Sequence, residues 1–479
     1  MRKLAITLQL VLLLSANLLA QDSQRTTKLA DLSAEEFKAL ERVTEASVTG
    51  TISFLASDEL AGRGTPSKEF IIATAYVASR LRAAGAKGLG PDGSYFLESS
   101  VDTVRVPDSG CSFQVTDGQS PVCTLLNAAA DAFQFEGKVP LVTKDLLTKD
   151  GSLEKAGPAA MMWDESEVTA NPRSLLRRRA MALAEKNVTA LLVVVAPTSP
   201  LWQSAIQSQR ESRLDDPRGR IGIPILLVAE HTWSDDSVCK IALPAVSKEK
   251  ALVRNVVAVI EGSDAELKKE AVFFSAHLDH LGGNGSGEDK IFNGADDDAS
   301  GVTAVLTLAD AFGALEPRTK RSAVFMTFWG EERGLLGSKE LVEASPWPLD
   351  KLVAGINIEM IGRPEEGARN KMWMTGWTES NLGTTFAAGS RRVGVETFEH
   401  PTLSARLYGA SDNMSFVNKG VIAHSFSAGS LHGDYHQPSD EWQRLDLTHM
   451  TQVIRGLYAG ALPIAQGNST PIKTSRSKP

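Results

Sequence analysis

The sequence predicts an α/β protein with a mixed, mostly parallel central sheet flanked by helices and a small β-rich domain inserted into it. Three observations lead there. From Arg254 onward, strand-like and helix-like segments alternate, the pattern of a sheet covered by helices. Several strand-like runs, such as SAVFMTFW at 322–329 and LVAGINI at 352–358, are apolar almost throughout, as strands buried on both faces are. Residues 110–250 differ in texture, with short β-like runs between polar stretches. The 479 residues exceed one ordinary core and suffice for about two domains. The expected divisions are a leader (1–20), an N-terminal part of the main domain (21–109), the insertion (110–250), the rest of the main domain (251–466) and a disordered tail (467–479).

The leader begins with Arg2 and Lys3, continues through the apolar run Leu8–Leu14 and ends on the small residue Ala20. That is the pattern of a secretory signal peptide, so export to the periplasm or the outside is expected. The run falls short of the roughly 18 apolar residues a membrane span needs. No cysteine follows it, which argues against a lipid anchor. The formal charge of −8 lacks the basic excess of a nucleic-acid binder. Glu35, Glu36 and Lys38 fall in a first helix, DELAGRG at 58–64 in a loop, and FIIATAYVASRLRAA at 70–84 in a helix that stops at Gly85. In the insertion, residues 138–142, 191–196 and 223–228 read as strands, and a basic helix lies around 175–186. Of the three cysteines, Cys111 and Cys123 flank a hairpin-like stretch and are expected to form a disulfide in an oxidising space, leaving Cys239 free. None lies near the histidines, so a zinc–thiolate site is excluded. Further strands fall at 255–260, 270–276 and 420–426, and helices at 302–312, 335–343 and 447–465.

In open α/β sheets, ligands bind beyond the carboxyl ends of the strands. There the chain places His277 and Asp279, then IFNGADDDASG at 291–301, then Glu331-Glu332, then Glu359, and finally His432 with the Tyr435-His436…Asp440 stretch. Each taken alone has a plain structural reading; the three aspartates, for example, suit a helix N-terminus. Together they form a ligand set of imidazoles and carboxylates suited to two borderline ions bridged by one carboxylate. Asp279, two residues after His277, is expected to share its direction and accept the second ring N–H of a metal-bound imidazole. Asp440 is expected to do the same near His436.

At these residues the chain resembles the two-zinc aminopeptidases that include secreted bacterial leucine-type enzymes, with glutamate carboxypeptidase II and the transferrin receptor as distant relatives. The resemblance covers roughly 254–465 with a lead-in around 53–84, and the insertion sits where relatives carry a protease-associated domain. It implies the zinc exopeptidase fold, two Zn²⁺ ions and peptide substrates. It implies His277, Asp297, Glu332, Glu359 and His436 as metal ligands, Glu331 as general base and Tyr435 as an oxyanion donor. Asp297 is selected because the family's bridging aspartate lies three residues before the serine of a D-x-x-S-G stretch, here Ser300. Two departures stand out. Glu359 occupies a position where the family usually has aspartate, and Asn413 follows Asp412 where relatives often carry histidine. The resulting expectation is a secreted zinc aminopeptidase. Its competitors are a carboxypeptidase or dipeptidase using Arg391, Arg392 or Arg406, a glutaminyl cyclase, and a receptor-like module without metal. The pocket wall is expected from residues 371–384 and 405–418, and the sequence leaves residue preference and oligomeric state open.

Overall fold

A computed structural model describes residues 31–474 apart from 117, 119, 143–152, 154, 168–171, 210–211, 216–220, 230–237 and 284–288. The expected leader, and the end of the tail beyond Thr474, lie outside the described residues.

The main sheet has ten strands. In chain order they are β1 (Lys87–Gly88), β2 (Phe96–Arg105), β3 (Arg213–Leu214), β4 (Ser247–Ile260), β5 (Ala271–His277), β6 (Ser322–Phe328), β7 (Leu352–Ile358), β8 (Lys371–Met374), β9 (Glu396–Phe398) and β10 (Ala423–Ser427). Their order across the sheet is β9-β8-β10-β7-β5-β6-β4-β2-β3, with β1 paired to β4. The central strands β6, β5, β7 and β10 are mutually parallel, while β4 runs antiparallel to both β6 and β2. The mixed, centrally parallel sheet is the one expected.

Every residue of β5 and β6 is buried, which is why their sequences carry no polar alternation. Side chains alternate between two cores along β5. Val272, Phe274 and Ala276 pack on one face with Phe312, Phe325 and Tyr458. Ala271 and Phe273 pack on the other with Val324, Met326 and Phe416. Each fully buried phenylalanine contributes about 1.5–3 kcal/mol relative to exposure. The helices on these faces are α1 (Ala34–Leu40), α2 (Glu45–Leu55), α3 (Lys68–Ala83), α4 (Gly301–Ala314), α5 (Leu336–Glu343), α6 (Leu382–Ser390) and α7 (Leu447–Ala465). Their starts follow the sequence: Ser33 and Glu36 cap α1 reciprocally, Ser67 accepts from Phe70 N–H at α3, and Asp446 accepts from His449 N–H at α7. Among the described residues, no helix is long and apolar enough to cross a membrane.

Residues 112–243 supply two smaller sheets. One pairs Val238–Leu243 with Ser112–Val115 and Phe133–Lys138; the other orders Cys123–Asn127, Ile225–Val228, Val188–Val194 and Gly157–Met162. The expected boundary at 250 falls inside β4, which begins at Ser247 and pairs antiparallel with β2 from Arg105 to Phe96. These two long strands form a ribbon that carries the chain out to the small sheets and back.

Two expectations are corrected. Cys111 and Cys123 are thiols with sulfurs 3.8 Å apart and no disulfide between them, and Cys239 is a buried thiol. The spacing placed the pair correctly, but their side chains meet at contact distance without a bond. The tail from Asn468 to Thr474 is not loose. Arg321 donates to the Ser469 carbonyl and to the Thr470 hydroxyl at 2.9 and 2.7 Å. Ile472 N–H donates to Asn381 at 2.8 Å. A polar composition concealed these specific partners.

Candidate metal centre

The carboxyl ends of the parallel strands converge on one spot. His277 is the last residue of β5. Its Nε2 lies 3.1 Å from Asp297 Oδ1 and 3.6 Å from Glu359 Oε2. Glu359 follows β7 directly, with Oε1 accepting from Asn357 Nδ2 at 2.9 Å and from the Ser411 hydroxyl. Glu331 and Glu332 occupy the turn after β6. His436 arrives on the loop after β10, with its Nε2 3.1 Å from Asp297 Oδ2 and 3.3 Å from Glu332 Oε2. Tyr435 stacks its ring on that of His436, centroids 3.9 Å apart.

The three adjacent aspartates divide their work. Asp298 Oδ1 accepts from Gly301 N–H and Met360 N–H at 3.1 and 3.2 Å. Asp296 Oδ1 accepts from Gly362 N–H at 2.6 Å, and its Oδ2 lies 3.2 Å from His432 Nε2. Both thus tie the start of α4 to the loop after β7. Of the three, Asp297 is the one that stands beside His277, His280 and His436, and the Asp297–Asp298 peptide is cis. Counting back from Ser300 therefore picked the carboxylate that stands between the others.

The two supporting aspartates take partners other than those expected. His277 Nδ1 meets the backbone carbonyl of Asp279 at 3.0 Å, while the Asp279 carboxylate stands 4.0 Å away. That carboxylate accepts from Glu331 N–H at 3.1 Å instead. β5 ends at His277, so the alternation rule of an extended strand no longer applies at residue 279. Asp440 Oδ2 accepts from the N–H groups of Asp296 and Asp297 at 3.0 and 3.2 Å, and so holds the aspartate turn rather than His436.

Sequence reasoning left His280 without a role. Its ring is fully buried, and Nδ1 lies 2.7 Å from Glu332 Oε1 and 3.7 Å from Asp297 Oδ2. The signal was present as a second histidine in HLDH, but only the tertiary contact to a residue 52 positions on gives it meaning. Arg63 of the DELAGRG loop was also unassigned. It is wholly buried and donates to the carbonyls of Leu278, Asn293 and Gly294 at 2.8, 2.7 and 3.1 Å.

Donor atoms therefore gather in two overlapping groups, His280–Asp297–Glu332–His436 and His277–Asp297–Glu359, each mutually within 4.8 Å. Bonds of about 2.0–2.2 Å place two donors of one tetrahedral zinc about 3.4 Å apart, and the separations here run from 2.7 to 3.7 Å. Asp297 Oδ2, Glu332 Oε1 and both ring nitrogens of His280 are buried without a hydrogen-bond partner. The residues present fit a pair of divalent ions of zinc's character.

The electrostatics are those of a crowded acidic site. Burial holds the Glu331 carboxyl well above the usual range, and Glu359, Asp412 and Glu332 add to this against the pull of His277. Burial likewise pushes Asp279 up to about 7. Glu332, despite its burial, is brought down to about 2 by the imidazoles of His280 and His436. A cavity of about 110 Å³ opens on the centre, lined by His277, Asp297, Glu331, Glu359 and Tyr435 and walled by apolar side chains including Met360, Trp373, Leu403 and Leu407. Both stretches expected to wall the pocket contribute, through Trp373 and Leu407 among others. Arg391, Arg392 and Arg406 do not line it. Asn413 lies off the centre and accepts from the Ser425 hydroxyl at 2.9 Å.

Residues 255–460 match the model of Peptidase family M28. A "Probable zinc metalloprotease" of Pyrenophora teres f. teres is 36% identical over 117 residues, which is 24% of this chain and 24% of that protein. A "Probable glutamate carboxypeptidase" of Arthroderma benhamiae is 34% identical over 110 residues, 22% of this chain and 14% of that protein. The chain thus spans a quarter or less of these curated relatives. Among solved structures, a zinc aminopeptidase from Bacillus subtilis superposes with a TM-score of 0.55 at 14% identity, covering 91% of this chain and 97% of that one. An aminopeptidase from Aneurinibacillus sp. strain AM-1 gives 0.54 at 17% identity, covering 89% and 95%. These likenesses show a shared fold. Family match and fold thus point the same way: residues 255–460 resemble Peptidase family M28, and the chain shares the fold of solved zinc aminopeptidases.

Proposed function

We propose that the chain is an exported, two-zinc aminopeptidase that removes the N-terminal residue of peptides. One observation carries the choice of terminus. Among the described residues, the cavity lining holds Asp297, Glu331 and Glu359 and neither Arg nor Lys. Such a wall offers no cationic side chain to a substrate carboxylate, and Glu331, which holds no zinc in this reading, is left to meet a substrate ammonium. The apolar side chains beside it suit an uncharged side chain on the residue removed.

His277, Asp297 and Glu359 would hold one zinc in this reading, and Asp297, Glu332 and His436 would hold the other, Asp297 belonging to both groups. Zinc bound there supplies Lewis acidity toward water and the scissile carbonyl. Glu331, lining the cavity, accepts the proton of the attacking water and passes it to the leaving amine. Asp279 fixes the Glu331 backbone through its N–H and thereby the reach of that carboxylate. Tyr435 donates its hydroxyl to the carbonyl oxygen as charge builds there. Burial and the nearby carboxylates hold that phenol above its usual pKa, so it remains a donor. The reading of residues 1–20 as a leader makes the enzyme an exported one, which the N-terminal sequence of the purified product from the native host checks.

The test combines metal content with a panel of free-amine and N-blocked chromogenic substrates, with and without chelator. Cleavage of free-amine substrates alone, lost with chelator, is expected. Cleavage of N-blocked substrates from the carboxyl end overturns the amino-terminal reading, and pyroglutamate release with one bound zinc assigns a cyclase instead. Glu331→Gln is expected to keep its zinc and lose about 10²–10⁴-fold in kcat, the range of a positioned proton-transfer group. Unchanged turnover removes Glu331 from the mechanism.

A further inference from the structure

We infer that His280 is a fourth protein ligand at the position shared by Asp297, Glu332 and His436. That position is then satisfied by protein alone, and the one formed by His277, Asp297 and Glu359 is left to receive water and substrate. The inference rests on the two-zinc reading above and says which of its halves is which.

The first support is unsatisfied chemistry. Both ring nitrogens of His280 are buried, and neither has a hydrogen-bond partner. The facing atoms, Glu332 Oε1 and Asp297 Oδ2, are equally buried and equally orphaned. Burying a polar group without a partner is costly, so four such atoms at one point are hard to keep without something between them. Their separations of 2.7 and 3.7 Å bracket that of two donors on one zinc.

The second support is that the protein is built to put this ring there. Gly294 has φ +55, and a Cβ at that position would lie 2.5 Å from two atoms of the His280 ring. The backbone on both sides is clamped by Arg63. Its guanidinium binds the carbonyls of Leu278, before His280, and of Asn293 and Gly294, before Asp297. Its own carbonyl accepts from His280 N–H at 3.3 Å. The loop motif DELAGRG thus has a task that its sequence did not disclose: it fixes His280 and the aspartate turn relative to each other.

The third support is the asymmetry of access. Asp297, His277 and Glu359 line the cavity, whereas His280, Glu332 and His436 do not. A four-donor position of which only Asp297 lines the cavity and a three-donor position that lines it throughout correspond to a closed and an open zinc site.

The consequence is stepwise metal binding, with the four-donor position filling first. The experiment titrates the metal-free full chain with zinc against a chromophoric chelator. Two steps of unequal affinity are expected in the wild type. His280→Ala should weaken the tighter step by more than about 100-fold, the upper range for a residue that only orients a ligand, and leave the weaker step within about threefold. Two wild-type steps that His280→Ala leaves unchanged overturn the inference while the two-zinc reading stands. A wild type that binds fewer than two zinc ions overturns that reading itself. Should the variant fail to fold, X-ray absorption on wild-type protein loaded with one equivalent of zinc decides. Two imidazoles per zinc are expected; one imidazole overturns the assignment.

Discussion

The two halves of the centre share Asp297 and little else. The half containing His277 and Glu359 opens on the cavity, and Glu359 is steadied by side chains, Asn357 and Ser411, which a neighbouring loop and strand supply. The half containing His280, Glu332 and His436 turns away from the cavity and is framed by backbone, through Arg63 and the close pass of Gly294. In the reading proposed above, the comparison separates a half that would meet the substrate from a half that would anchor the metal.

The most severe way to break this contrast is to remove what both halves share. Asp297→Asn replaces a bridging carboxylate by an amide, whose nitrogen cannot serve as a ligand. Both zinc steps should weaken, and turnover should fall by more than the roughly 10²–10⁴-fold expected for Glu331→Gln. Metal analysis after desalting checks it: full retention of two zinc ions would show that Asp297 is not the bridge.

A smaller and more selective change is Glu359→Gln. It alters only the cavity half, so the weaker zinc step should lose about 10–100-fold and the tighter one should stay unchanged. Chelator competition reads both steps in one experiment. An equal loss at both would mean that the halves are coupled more strongly than their separate supports suggest. Together with His280→Ala, this substitution forms a pair of opposite selectivity.

How much of this was legible beforehand depended on whether the information was local. The unbroken apolar runs of β5 and β6 announced strands buried on both faces, and every residue of both is buried. The charged residues at their carboxyl ends followed from topology, and the choice of Asp297 from the family resemblance, through its D-x-x-S-G stretch ending at Ser300 and Gly301. What stayed hidden was long-range or lay where regular structure stops. Asp279 was assigned by strand alternation, one step beyond where the strand ends, and its carboxylate went to Glu331 N–H instead. Asp440 was given to its neighbour in sequence and turned out to hold a turn 143 residues away. His280 had no pattern of its own, because its partner Glu332 lies in the turn that follows β6. Arg63 looked like one basic residue in a polar loop; nothing in DELAGRG says that its side chain is wholly buried against three other segments.

That residue offers the mildest test of the contrast. Arg63 is a buried cation whose pKa burial lowers to about 10, with Asp279, Asp297, Asp298 and Asp440 pulling it back up. It therefore stays charged at neutral pH, and its planar fork reaches four carbonyls at once. Lysine keeps the charge but is a point donor and cannot reproduce the fork. Hydrogen bonds to charged groups contribute about 1.5–3 kcal/mol each, so Arg63→Lys, losing at least one, should destabilise the metal-free chain by a few kcal/mol, or about 5–10 °C in Tm. Because the clamp spans His280 and the aspartate turn, the tighter zinc step should weaken by about tenfold or less, while the weaker step and the kcat of the fully loaded enzyme move little. Zinc added to the variant should then recover part of the lost Tm, since a ligand that binds only the folded state stabilises it. Calorimetry with zero, one and two equivalents of zinc distinguishes the cases. Recovery concentrated in the first equivalent places Arg63 behind the anchoring half; recovery split evenly between the two would make the clamp a support of the whole centre and dissolve the distinction between its halves.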